Sequence, residues 1–247
     1  MTLTVLVGNT NARLTRFRGA RPAARRVIPT ARFLSDPGRF LARPGRVTDA
    51  GLASVRAGGA AACRPALERL LGRPPVVVGP RSRTGLVFRY DRSQLGADRV
   101  CAAVGARLLL PGRDLVVLDF GTAVTVNVID RRGCFLGGLI LPGYQAMVSG
   151  LLLAAPRLPR PASVRPRQLL GRDTSAAVRA GVWHTLVGGI ERILDRIDRQ
   201  AGSRFETIAT GGGYPLVRSG LPRVRRYDAD LAARGLAEIT RLNRRPG

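Results

Sequence analysis

The sequence predicts an α/β protein made of two similar halves, and three observations carry that prediction. Short apolar, strand-like runs alternate with segments of helical periodicity along the whole chain of 247 residues. The stretch VLVGNTNARL, from Val5, is echoed by LDFGTAVTVN, from Leu118: each is an apolar strand, a glycine, small polar residues and a second extended run. The two glycines, Gly8 and Gly121, lie 113 residues apart, near half the chain. A chain of this length has ample material for two modest cores. The expected division is residues 1–112 and 113–247, each half opening with strand–turn–strand and facing a cleft between them.

The elements follow in order. Strands are expected at Leu3–Val7, Val76–Gly79, Leu115–Asp119, Val124–Ile129, Gly138–Leu141 and Thr207–Thr210. GAAACRPALERLLG, residues 59–72, has an apolar helical period and stops at a glycine, as a helix should. DRVCAAVGARLL, residues 98–109, places Asp98 at a helix start. The longest helical pattern, residues 173–199, has Asp173 or Thr174 as its cap. Residues 228–243 close the chain as an amphipathic helix, and the Arg/Pro-rich stretch 157–168 reads as a connector.

Composition narrows the class. The hydrophobic fraction of 45% and mean hydropathy of +0.03 describe an ordinary globule, and no run of 18 apolar residues suggests a membrane span. The opening residues lack the basic region and cleavage site of a signal peptide, so a cytoplasmic location is expected. Cys63, Cys101 and Cys134 are odd in number and far apart, which argues against a disulfide framework and for small buried apolar residues. The net charge of +25 invites a nucleic-acid reading, but all 41 basic residues are arginine, scattered along the chain beside abundant Ala, Gly and Pro. With aromatics at 5%, a solvated surface shaped by GC-rich codon usage is the better reading, and no nucleic-acid partner is expected.

Taken singly, Gly-Asn-Thr and Gly-Thr-Ala are ordinary hairpin turns. Six motifs in sequence say more. VGNTNARL (7–14), QLGADR (94–99), DFGTAVTVNVID (119–130), GGLILPG (137–143) followed by RLP, LLGRDTSAAVRAGV (169–182) and ATGGG (209–213) resemble, in this order, those of type III pantothenate kinases. That family belongs to the superfamily of sugar kinases, acetate kinase and actin. The resemblance implies two duplicated actin-like, ribonuclease H-like subdomains with a nucleotide cleft between them. It also implies a transferase, a kinase of coenzyme A biosynthesis acting on pantothenate with ATP, as a homodimer.

The same resemblance assigns roles. Backbone N–H groups of Gly8, Asn9 and Thr10 would cradle one side of the triphosphate, and those of Gly121, Thr122 and Ala123 the other. Asp98 would be the base that deprotonates the pantothenate hydroxyl, with helix capping as its other reading. Arg99 would grip the substrate carboxylate through its planar fork, in a pocket shared with Gly96 and Tyr90. Asp119 would hold a cation, either K+ or NH4+, or Mg2+ through water. Thr174 would reach across a dimer interface into the partner's pantothenate pocket. Gly211, Gly212 and Gly213 would let adenine lie against backbone. His184, within the long helix beside Trp183, reads as structural or interfacial.

Two positions depart from the family pattern. Leu6 stands where the first motif carries an aspartate, opposite Asp119 in the internal echo, and Asn127 stands where the second motif often carries one. Loss of a metal-holding carboxylate is expected to reduce rate on the order of a hundredfold. Before Asp91 the only acids are Asp36, Asp49 and Glu68, none beside the turn in sequence. The sequence therefore leaves two main readings: an active pantothenate kinase, or a non-catalytic nucleotide- or pantothenate-binding protein on the same scaffold. A nucleic-acid-binding regulator is motivated by charge alone.

Overall fold

A computed structural model describes residues 1–41 and 47–244 of the protein. Residues 42–46 and 245–247 of the two expected halves lie outside the described residues. The chain divides into two compact units. The first comprises residues 1–112, 130–136 and 230–247, and the second residues 113–129 and 137–229. One break between the units falls at 112/113, and 130–136 and the C-terminal segment pack with the first unit.

In the first unit the strands are β1 (Thr2–Val7), β2 (Asn11–Arg18), β3 (Arg21–Pro29), β4 (Asp49–Ser54) and β5 (Val76–Val77), in the order β3-β2-β1-β4-β5. β1 and β2 form an antiparallel hairpin, and β4 lies parallel on the other side of β1. Helices α1 (Thr30–Ser35), α2 (Pro37–Leu41), α3 (Gly59–Leu71) and α4 (Ala97–Leu109) follow, with β6 (Val87–Phe88) before α4. Val5, Leu52, Phe33 and Leu67 meet in the core on one face of the sheet.

The second unit repeats the plan. β7 (Leu115–Phe120) and β8 (Ala123–Ile129) form the hairpin; β9 (Cys134–Pro142), β10 (Glu206–Thr210) and β11 (Arg226–Tyr227) complete the order β11-β10-β7-β8-β9. β10 pairs parallel with β7, as β4 does with β1. β6 pairs with Cys134 and Phe135, the part of β9 that belongs to the first unit. Helices α5 (Tyr144–Ala154), α6 (Thr174–Ala201) and α7 (Tyr214–Val217) cover this sheet, and Leu118, Val126, Trp183, Ile190 and Leu194 form its core. β1 and β7 are central strands buried on both faces, so they read as continuous apolar runs.

The last helix, α8 (Leu231–Asn243), returns to the first unit for a steric reason. It crosses α4 backbone to backbone at two glycines. A Cβ on Gly235 would stand 1.8 Å from the Cys101 carbonyl oxygen, and one on Gly105 2.0 Å from that of Leu231. Asp173 caps α6, its Oδ1 accepting the Ala176 N–H at 2.8 Å, and Gly72 (φ 66°) ends α3. Among the described residues no helix is long and apolar enough to cross a membrane.

Candidate active site

Both glycine turns sit at the C-terminal ends of central strands, where their backbone is open to solvent. In the first, Gly8 N–H donates to Asn11 O at 3.0 Å, closing the loop. Thr30 then clamps it from outside: its hydroxyl donates to Gly8 O at 2.8 Å and its backbone N–H to Thr10 O at 2.9 Å. Asn9 and Thr10 remain exposed, as a phosphate cradle requires. Leu6 lies just inside, 9% exposed, in register with Arg13 on β2 and Ala53 on β4.

The same unit brings Tyr90, Gly96, Asp98 and Arg99 together. Asp98 is in the first turn of α4 but is not its N-cap, a position taken by Gly96. Its Oδ1 accepts the Arg99 N–H at 2.7 Å. A Cβ on Gly96 would fall 2.6 Å from that oxygen and 3.7 Å from a Val55 methyl. Val55 in turn donates its N–H to Val7 O at 3.0 Å, one residue before the first turn. Gly96 thus packs between the Asp98 carboxylate and Val55, the residue whose backbone is bonded to the end of β1. Burial raises its pKa above the ordinary carboxylate value, against the opposing pull of the Arg99 N–H and guanidinium.

Arg99 is only 5% exposed, and its guanidinium lies 5.3 Å from the Tyr90 ring centroid and 5.7 Å from that of Phe135. Tyr90 and Phe135 meet edge to face at 5.9 Å and 88°. Two aromatic rings thus hold a buried cation in one orientation. Phe135 was not legible as a site residue: it lies far along the chain, in the short segment 130–136 that packs back into the first unit, and no local signal marks it.

In the second unit Asp119, Gly121, Thr122 and Ala123 stand with the glycine run 211–213. Gly121 N–H closes the turn on Ala123 O at 3.0 Å, while Gly143 N–H donates to Thr122 O at 3.0 Å and Gly213 N–H to Phe120 O at 2.9 Å. Gly211 adopts φ 89°, and a Cβ there would come within 2.5 Å of both Asp119 Oδ1 and Phe120 O. Asp119 has Thr125 beside it on β8 and Thr210 beside it on β10. Asn127 is fully buried and donates through Nδ2 to Thr125 Oγ1 at 3.2 Å. The Thr210 hydroxyl is buried with no hydrogen-bond partner among the described residues. Neither threonine carries a sequence signal of its own; strand register supplies both.

Thr174 is not with the turns' residues. It is exposed at the start of α6 and lines an apolar groove of about 490 Å³ with Met147, Leu151, Leu158, Val178 and Val182. His184 is exposed on the same helix, its ring packed against Trp183 at 4.8 Å.

Two copies of one strand order, each with a glycine turn after its central strand, define the actin-like sugar-kinase fold class. Solved structures share that fold. A ROK family glucokinase from Streptomyces griseus, in complex with glucose and AMPPNP, is 14% identical with a TM-score of 0.56, covering 97% of this chain and 99% of that one. A Campylobacter jejuni protein described as a Baf family transcriptional activator has a TM-score of 0.61 at 21% identity, covering 98% of both chains. The sequence profile of the type III pantothenate kinase family matches residues 2–196, and the chain belongs to that family. The type III pantothenate kinase of Paramagnetospirillum magneticum is 42% identical over 174 residues, 70% of this chain and 66% of that protein. The chain spans about two thirds of the length of the curated relatives it matches.

Proposed function

We propose that the protein phosphorylates pantothenate to 4′-phosphopantothenate with ATP, the first step toward coenzyme A. Family membership supports the reaction, and one observation carries the mechanism. Asp98, a half-buried carboxylate of raised proton affinity packed against Gly96, is followed by an aromatic-held Arg99. Arg99 binds the pantothenate carboxylate, with Tyr90 and Gly96 shaping the pocket. Asp98 accepts the proton of the substrate hydroxyl as it attacks the γ-phosphate. The N–H groups of Gly8 and Gly121 are spent on closing their own turns, so the remaining amides of the Gly8–Thr10 and Gly121–Ala123 turns receive the phosphate oxygens, and Gly211–Gly213 the adenosine.

The cation question has a different answer at each turn. At the second, Asp119 with Thr125 and Thr210 offers hard oxygen donors, and the orphaned Thr210 hydroxyl fits a K+, NH4+ or Mg2+ ion held there. Such an ion would offset phosphate charge. At the first, Leu6 offers no donor. Among the described residues no three His, Cys, Asp or Glu side chains cluster as a metal site. The apolar groove beside Thr174, with exposed Leu153, Leu169 and Leu170 nearby in sequence, supports a homodimer that buries it. Three free cysteines suit a reducing cytoplasm.

The test is pantothenate phosphorylation by the purified protein with ATP, Mg2+ and K+ or NH4+. Asp98→Asn should lose about 10²–10⁴-fold in kcat. Because a base works only when deprotonated and burial raises the Asp98 pKa, parent activity should fall with pH at values above the ordinary carboxylate range. Leu6 favours a second reading, a non-catalytic binder. A parent that ATP or pantothenate stabilises against heat without turnover would establish it.

A further inference from the structure

The glycine run 211–213 has no side chains to hold it, and successive glycines lose the most conformational freedom on folding. It lies beyond residue 196, where the family match ends, so whatever fixes it must be read from this chain. One aromatic residue is built against it. Tyr227, in β11 and in register with Ala209, donates its hydroxyl to Gly211 O at 3.2 Å. Its ring stacks on Tyr214, centroids 5.0 Å apart and planes 26° apart, and Tyr214 meets Phe120 at 5.5 Å. Gly211 leaves no room on that side, since a Cβ there would fall 2.5 Å from Asp119 Oδ1 and from Phe120 O. Tyr214 is buried, but Tyr227 stays 42% exposed. A tyrosine needed only for packing would be buried, and the hydroxyl of this one is spent on a turn carbonyl.

We propose that Tyr227 is a positioning residue for the nucleotide. Its hydroxyl fixes the Gly211–Gly212 peptide, and the Tyr227–Tyr214 stack ties that peptide to Phe120. The turn that receives adenosine and the turn that receives phosphate are thereby held in one fixed relation. The inference rests on the ATP site proposed above and names what orders it.

The experiment uses the full chain and its Tyr227→Phe and Tyr227→Leu variants. ATP affinity is measured by calorimetry, beside kcat, the KM values for ATP and pantothenate, and Tm. Tyr227→Phe keeps the ring and loses one hydrogen bond, so Kd and KM for ATP should rise about three- to tenfold. Its kcat and pantothenate KM should stay unchanged. Tyr227→Leu, which also loses the stack, should weaken ATP binding further. Tyr227→Phe binding ATP as the parent does would overturn the proposal. So would a lowered Tm with both substrates affected alike, which is the mark of a structural brace. A parent that binds no ATP overturns the ATP site itself, a failure distinct from the other two.

Discussion

The two glycine turns are built on one strand plan and differ in the residue that would meet a cation. Leu6 has Arg13 and Ala53 as its register neighbours; Asp119 has Thr125 and Thr210. The bracing is comparable: Thr30 fixes the carbonyls of Gly8 and Thr10, while Gly143 and Gly213 fix those of Thr122 and Phe120. The difference therefore lies in charge and not in scaffold. In the first unit both the central strand and its parallel neighbour are apolar at this level; in the second both are polar. The proposed cation site therefore falls at the second turn, and the role proposed for the first is to bind phosphate through amides.

The largest test of that asymmetry is Asp119→Asn, which keeps the shape and removes the charge. Turnover should fall on the order of a hundredfold, and the response to added K+ or Mg2+ should flatten. Undiminished, cation-dependent turnover would mean that the second turn does not hold the ion.

A smaller effect separates the glycine run beside the second turn from the first turn on steric grounds. Gly211→Ala forces a side chain into the left-handed region and within 2.5 Å of Asp119 Oδ1 and Phe120 O, so it should destabilise the fold by about 1–3 kcal/mol. Gly8→Ala brings a Cβ only to 3.0 Å from Asn11 O, without positive φ, and should cost less by chemical denaturation. Equal losses would show that the glycine run 211–213 is no more tightly packed than the first turn.

Those contacts also show what sequence can carry. The glycine turns and helices α3, α4, α6 and α8 were legible because their signals are local: Gly72 as a stop, Asp173 as a cap, apolar periodicity between. β4 was not, since DAGLAS is short and its Gly51 is required by tertiary crowding, a Cβ there falling 2.0 Å from Thr240 Oγ1. β3 was not, because RPAARRVIP is an exposed edge strand whose arginines hide any alternation. At the site, the motif residues were legible and their supports were not. Thr30, Phe135, Thr125 and Thr210 act through register or through a returning segment, which no spacing in sequence reveals. Asp98 shows the limit from the other side: a helix-start acid reads as a cap, yet Gly96 holds that position and the carboxylate turns to the Arg99 N–H.

Leu6→Asp sharpens the comparison with the smallest structural change. It makes the first strand match the second at one position, but not its surroundings, because Ala53 still offers no hydroxyl. The new carboxylate would be nearly buried, which costs about 1–3 kcal/mol, against which Arg13 across the hairpin returns about 0.2–1 kcal/mol. With the burial of the leucine side chain lost as well, net destabilisation at neutral pH should be at least about 2 kcal/mol. Burial raises the pKa of such an acid, so the loss should shrink as pH falls and the neutral form takes over. If turnover needs a carboxylate at each turn, this variant should gain Mg2+-dependent activity despite being less stable. If its Mg2+ titration matches the parent's, Asp119 alone sets the cation requirement, and the apolar first turn is a working arrangement of this site.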